Sequence, residues 1–362
     1  MNGSPEITAG CAYDDAPPRA SALAESLRAF GYDLGTAIAD LIDNSVSAGA
    51  SNVWVDFNWR GAESTIAITD DGKGMSEQDL KNAMRLGSRN PREARASSDF
   101  GRFGLGMKTA SFSQCRCVTV RTRQSNASMT TRRWDLEHLA RTDQWQLLTD
   151  ARIDAAQFLT RFNGLARGTV VLWQSLDRVT GNLQAENEKH RDVFLSRCEQ
   201  VEQHLSLLFH RLLEGRNRIK LLINGRVIRP TDPFFEVEAT QILEPRRKAT
   251  PAGEILVEPF VMPHESKLFD AEARRLAGDP KDWSERQGFY IYRHDRLLVV
   301  GTWLGFREWR KDDLHKLARI RISLTNASDE DWQIDVTKSK ARPPDYLDSA
   351  LDRSQCDHVH MQ

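Results

Sequence analysis

Three short stretches of this chain carry residues that could do chemistry. In TAIADLIDNSVSAGA, Asp40 and Asn44 lie four positions apart, so a helix would stand them one turn apart on one face. The pair would give that face of the helix two polar side chains apart from its apolar stripe. Further on, TIAITD delivers Asp70 into the turn DDGKGM. Gly72 and Gly74 lack a Cβ, so the backbone can bend tightly and a planar ring can come close. A carboxylate at that strand end can accept a hydrogen bond from an exocyclic amine. The third stretch, GRFGLGMKTASFS, brings Gly101, Gly104 and Gly106 to the start of a helix. Exposed backbone amides at such a position bind phosphate oxygens, and Lys108 adds a point charge. The spacing GxxGxGxK differs from the GxxxxGK[ST] of a Walker loop.

Each stretch alone has a bland explanation. An Asp/Asn pair on a helix is usually solvated, and an Asp-Gly turn before a helix capped by Ser76 is commonplace. Their fixed order over Thr36 to Thr109 turns the balance toward a composite site.

The elements that must position these residues are legible from periodicity. Leu23, Leu27 and Phe30 mark an amphipathic helix ended by Gly31. The next helix runs to Ala48, with Ile38, Leu41, Ile42 and Val46 facing the core and Gly49 as its stop. VWVDF and TIAITD read as strands, followed by a helix from Glu77 to Leu86. CRCVTVRTR, TTRRWDL and ARGTVVLWQSL read as strands of one sheet, Cys115 and Cys117 pointing the same way in the first. A long helix is expected from Ala185 to Leu213, then a hairpin turned at Asn224-Gly225. EILVEPFVMP and GFYIYRHDRLLVVGTWLG follow as strands, the latter turned at His294-Asp295; Asp312 to Arg319 reads as a short helix before a last strand ending at Thr325. The expected division is a flexible leader over 1–20, a first domain over 21–181, a second over 182–345 and a tail over 346–362.

Composition narrows the class. At 362 residues, 40% hydrophobic and 28% charged, the chain is ordinary for a soluble globular protein of two domains. It has no apolar run approaching the roughly 20 residues of a membrane span, and its N-terminus is not patterned as a secretion signal. Five scattered cysteines argue against a disulfide framework and for a reducing cytoplasm. A net charge of −1 gives no global attraction to nucleic acid, so any such contact needs a local basic face. Candidates are Arg121/Arg123, Arg132/Arg133, Arg246/Arg247/Lys248 and Arg307/Arg310/Lys311.

With these motifs in order, the stretch from Leu23 to Leu176 resembles the GHKL ATPases: gyrase, heat-shock chaperones of that type, MutL, histidine kinases and MORC proteins. The second half resembles their transducer domain, and GFYIYRHDRLLVVGTWLG is most similar to MORC proteins and their bacterial stand-alone relatives. The resemblance implies an α+β chain: a GHKL (Bergerat) α/β sandwich with a mixed, mainly antiparallel sheet covered by helices on one face, followed by a transducer-like α/β domain. It implies ATP and Mg²⁺ as ligands. Asn44 would hold the metal, Asp70 would take the adenine amine with Thr169 supporting it through water, and Met75 would pack on the base. Gly72 and Gly74 would shape the adenine turn. Gly101, Gly104, Gly106 and Lys108 would bind phosphates, and Lys338 in DVTKSK would reach the γ-phosphate.

One departure stands out: Asp40 occupies the position where hydrolysing relatives carry glutamate. It is one methylene shorter, so its reach falls by roughly an ångström, and slow hydrolysis with Asp40 as base is expected. Asp43, three-quarters of a turn away, is not expected to replace it. The implied function is an ATP-driven homodimer clamp acting on DNA. The alternative is a non-hydrolysing ATP sensor that recruits a partner protein. A signalling kinase is disfavoured because no histidine precedes Thr36, and a chaperone because no length remains for a client-binding middle domain.

Overall fold

The computed structural model describes residues 14–29, 31–87, 106–215, 218–236, 241–250, 253–268, 280–306, 309–324, 332 and 343–344. After a first helix, α1 (Ala20–Leu27), comes α2 (Leu34–Ser47), the helix that organises the rest. Asp33 starts α2, its side chain accepting from the Thr36 backbone N–H at 2.9 Å. Ten of its fourteen residues are buried, more than an amphipathic stripe would bury. The surplus arises because α2 is enclosed by the sheet, by α4 (Gly106–Gln114) and by α7 (Glu188–Leu208). Between α2 and α4 lies α3 (Glu77–Met84), capped by Ser76 as expected.

The strands behind α2 are β1 (Asn52–Asn58), β2 (Thr65–Asp70), β3 (Cys117–Arg123), β4 (Thr130–Asp135) and β5 (Gly168–Gln174), with short helices α5 (Leu136–Thr142) and α6 (Thr160–Asn163) between the last two strands. They form a seven-stranded sheet ordered β4-β3-β5-β2-β1-β6-β7, where β6 is Lys220–Ile223 and β7 is Arg226–Val227. All pairs are antiparallel except β1 with β6, so the sheet is mixed and mainly antiparallel. Alternation sorts its faces: Ile66, Ile68, Val171 and Trp173 meet the large helices, whereas Ala67, Val170 and Leu172 pack on Ala155, Leu159 and Phe162 of the 151–165 segment.

This sheet does not stop near residue 181. After α7 the chain breaks at Phe209, enters α8 (His210–Glu214), and returns through the hairpin at Asn224-Gly225 to add β6 alongside β1. The turn residues have φ of 47° and 80°, the geometry that favours this dipeptide. The hairpin expected in the second domain thus completes the first sheet.

The second, six-stranded sheet comprises β8 (Gln241–Ile242), β9 (Arg246–Thr250), β10 (Gly253–Val261), β11 (Gly288–Arg293), β12 (Arg296–Thr302) and β13 (Ala318–Leu324). One face, with Phe289, Ile291, Ile320 and Ile322, closes its own core with Trp303 and Trp332. The other, with Phe260, Tyr290 and Tyr292, joins the same core cluster as α2.

Two local expectations are corrected. Residues 313–317 form bends and a turn rather than a helix. Asp312 accepts from the His315 backbone N–H at 2.8 Å, and strand pairing claims Ala318 and Arg319. Cys115 follows α4 rather than opening β3, its N–H bonded to the Ser111 carbonyl. It therefore does not share a strand face with Cys117. Cys115, Cys117 and Cys198 are free and buried. Among the described residues, no helix is long and apolar enough to cross a membrane.

Candidate functional site

Asp70 ends β2 between β1 and β5, opposite Thr169. Asp70 is 7% exposed, and its carboxylate accepts from the Gly72 N–H at 2.9 Å and from the Ser45 hydroxyl at 3.1 Å. Burial pushes its pKa up to about 6, while these donors and the Thr169 amide pull the other way. The glycines hold this arrangement. A Cβ on Gly72 would come within 2.9 Å of both Ala48 Cβ and Asp70 Oδ1, and one on Gly168 would lie 2.0 Å from the Asp70 carbonyl oxygen. A Cβ on Gly74 would collide with the Arg123 carbonyl. The turn is therefore tight against protein, beyond any room it leaves for a ring.

Thr122, which the sequence did not single out, ties this end together. Its hydroxyl accepts from the Met75 N–H at 2.9 Å, donates to the Gly168 carbonyl at 2.9 Å and lies 3.1 Å from the Thr169 hydroxyl. Met75 itself is half-buried against the core. Asp71 has a different task from its neighbour. It accepts from the backbone amides of Ser51 and Asn52 and from the Asn52 side chain, at 2.6–2.9 Å, fixing the turn from α2 into β1.

At the other end, Asp40 is 4% exposed and its Oδ2 accepts from the Tyr32 hydroxyl at 2.8 Å. The same oxygen lies 3.4 Å from where a Cβ on Gly106 would stand. The first and third motifs thus meet: a carboxylate sits against the first residue of α4, and the dipole of a helix favours anions at its N-terminus. Asn44 is exposed one turn along α2. Asp43, between them, points elsewhere and is bound by Arg296, with Arg Nε 3.0 Å from Asp Oδ1.

Lys108 is not at this anion position. Its ammonium is buried and donates to the carbonyls of Ala83 at 2.8 Å and Arg85 at 3.0 Å. It braces the C-terminal end of α3, where carbonyls and the dipole attract a cation. Gly101, Gly104 and Lys338 lie outside the described residues. Ser45 and Tyr32 were also missed by motif reading, although Ser45 directly follows Asn44 and Tyr32 directly precedes the Asp33 cap.

Among the described residues no three His, Cys, Asp or Glu side chains group to hold a metal. A single amide such as Asn44 suits magnesium, which keeps waters and takes phosphate oxygens for most of its shell. The remaining donor set, a recessed carboxylate for an amine and a helix start for an anion, fits a nucleotide extended along α2.

Comparison with known proteins finds a matching family and a relative. Residues 32–169 match the family described as histidine kinase-, DNA gyrase B-, and HSP90-like ATPase. A stretch of 77 residues is 34% identical to ATPase morc-1 of Caenorhabditis elegans, covering 21% of this chain and 9% of that protein.

Proposed function

We propose, from a GHKL-type ATPase domain at residues 32–169, that this chain binds ATP with Mg²⁺ and hydrolyses it slowly. In this reading Asp70 accepts a hydrogen bond from the adenine amine, with Thr169 assisting through water, and Met75 packs against the base. Gly101, Gly104 and Gly106 present amides to the phosphates, and Asn44 offers its amide oxygen to the magnesium. The bound metal would offset the charge of the phosphate oxygens. Asp40 takes the proton of a water whose oxygen bonds to the γ-phosphorus as the bond to the ADP oxygen breaks. Tyr32 donates to Oδ2 of Asp40 and so orients the carboxylate. Lys108 braces α3 beside the phosphate segment.

The observation that carries the proposal is the meeting of Asp40 with the first residue of α4, at the opposite end of the site from Asp70. ATP turnover and calorimetric binding test it. Asp40→Asn is expected to lower turnover by about 10²- to 10⁴-fold while nucleotide binding persists. Turnover unchanged in Asp40→Asn and abolished in Asp43→Asn would reverse the assignment.

We further propose that ATP closes two copies of the chain into a dimer, the second sheet serving as transducer through Lys338. DNA is the client in this reading, by analogy to the MORC and MutL proteins that the sequence resembles. The basic clusters add less, since Arg132 pairs with Glu77, Arg247 with Glu254 and Lys311 with Glu285. Absence of duplex binding at low salt with an ATP analogue removes the DNA client. The free buried thiols support a cytoplasmic setting. The short reach of Asp40 favours a second reading, an ATP sensor that recruits a partner protein without turnover; measured hydrolysis decides between them.

A further inference from the structure

The tip of the β11–β12 hairpin is seated on the break between α7 and α8. His294 and Asp295 turn it with φ of 49° and 64°. Arg211 pairs with Asp295 at 3.0 Å and lies over the Tyr292 ring, while the Tyr292 hydroxyl is 3.4 Å from His210 Nε2. From this seat Arg296 stacks on Phe209, 4.5 Å from the ring centroid, and reaches Asp43 on α2. The two charges are 253 residues apart in sequence, with side chains 4% and 2% exposed. Among the described ion pairs it is the one with both partners so deeply buried.

A buried ion pair is a poor way to gain stability, because desolvating both charges offsets most of their attraction. Apolar side chains of similar size would pack this joint as well. What the pair adds is direction: the guanidinium fixes one carboxylate rotamer and so the rotation of α2 about its own axis. Asp43 is next to Asn44 and three residues from Asp40, so any rotation of α2 moves both. A misplacement near 1 Å of a catalytic group costs about 100-fold in rate.

We propose that Arg296 is a positioning residue for the nucleotide site, acting through Asp43 to hold α2 in register with the second sheet. Through this joint, a displacement of the second sheet is transmitted to Asp40 and Asn44. The inference rests on the ATP reading for its catalytic consequence, but the joint itself can be tested without nucleotide.

The test uses the full chain and three variants. Arg296→Met takes the cation away from Asp43; Asp43→Leu with Arg296→Met removes both charges together; Arg296→Lys restores a cation. The double variant is expected to melt near the wild-type temperature, yet to turn over ATP about 10- to 100-fold more slowly. Its KM should change far less than its kcat. Arg296→Lys should recover part of the rate lost in Arg296→Met. In nucleotide-free protein, amide hydrogen exchange over 40–47 should quicken in the double variant. A double variant with wild-type turnover, or with unchanged exchange over 40–47, overturns the proposal. If wild-type protein fails to bind ATP, the functional reading fails instead, while the exchange measurement still judges the joint.

Discussion

Two buried carboxylates, Asp43 on α2 and Asp70 at the end of β2 beside it, are answered in opposite ways. Asp70 meets only neutral donors, a serine hydroxyl and backbone amides, and burial leaves its pKa near 6. Asp43 meets a guanidinium that is itself buried and stacked on Phe209. Neutral donors satisfy Asp70 without saturating it, so it can accept one more hydrogen bond from a visitor. A formal ion pair ties Asp43 to a charged partner that is itself buried. The difference separates a group that exchanges partners from one that serves as a joint.

The largest effect should come from breaking the joint on one side. Asp43→Ala leaves Arg296 buried and uncompensated, and is expected to cost about 3–5 kcal/mol in urea unfolding. Asp70→Asn at pH 7 should leave stability unchanged or raised, because it removes a carboxylate that burial disfavours. Equal losses from both changes would erase the contrast. Next in size, Asp70→Asn should weaken ATP binding by about 10- to 100-fold, the loss of a charge-assisted hydrogen bond of roughly 1.5–3 kcal/mol, read by calorimetry.

The pH dependence separates folding from binding. The folded pKa of Asp70, about 6, lies above its ordinary 3.8. Its contribution to the stability of the nucleotide-free protein is therefore complete below the ordinary value and lost as pH rises through about 6. Binding runs the other way: the acceptor is the ionised form, so affinity should fall as pH drops through about 6. The smallest effect is expected from Ser45→Ala, about 1 kcal/mol of affinity. By removing a donor to the carboxylate it should also move the binding midpoint to higher pH. A midpoint that stays put in this variant would assign the titration to the phosphates rather than to Asp70.

Local devices were readable in the sequence, and long-range partners were not. The course of α2, the Ser76 cap, the turn at Asn224-Gly225 and the turn at His294-Asp295 follow from spacing and turn chemistry acting over a few residues. Asp70 was identified from its strand and glycines, yet nothing local distinguishes it from Asp71; only the loop after α2 gives Asp71 its backbone partners. Lys108 reads as a phosphate ligand by motif, but the end of α3, brought near by folding, offers carbonyls first. Arg296 was invisible because its partner lies in another unit of the fold. The residues 312–319 were misread as helix because pairing with β10 and β11 outweighs the preference of so short a segment.

The parallel pairing of β6 with β1 has a consequence for how the molecule can be divided. Strand β6 covers the backbone N–H and C=O groups along the outer side of β1, with Asn52 through Val55 matched to Lys220 through Ile223. A chain ended near residue 181 would uncover that side and present an open template to other chains. Such a fragment would tend to associate edge to edge and mimic a dimer that owes nothing to nucleotide. A fragment carried past Val227 keeps the β1 edge sealed, although it still uncovers the apolar face on which Phe260, Tyr290 and Tyr292 pack.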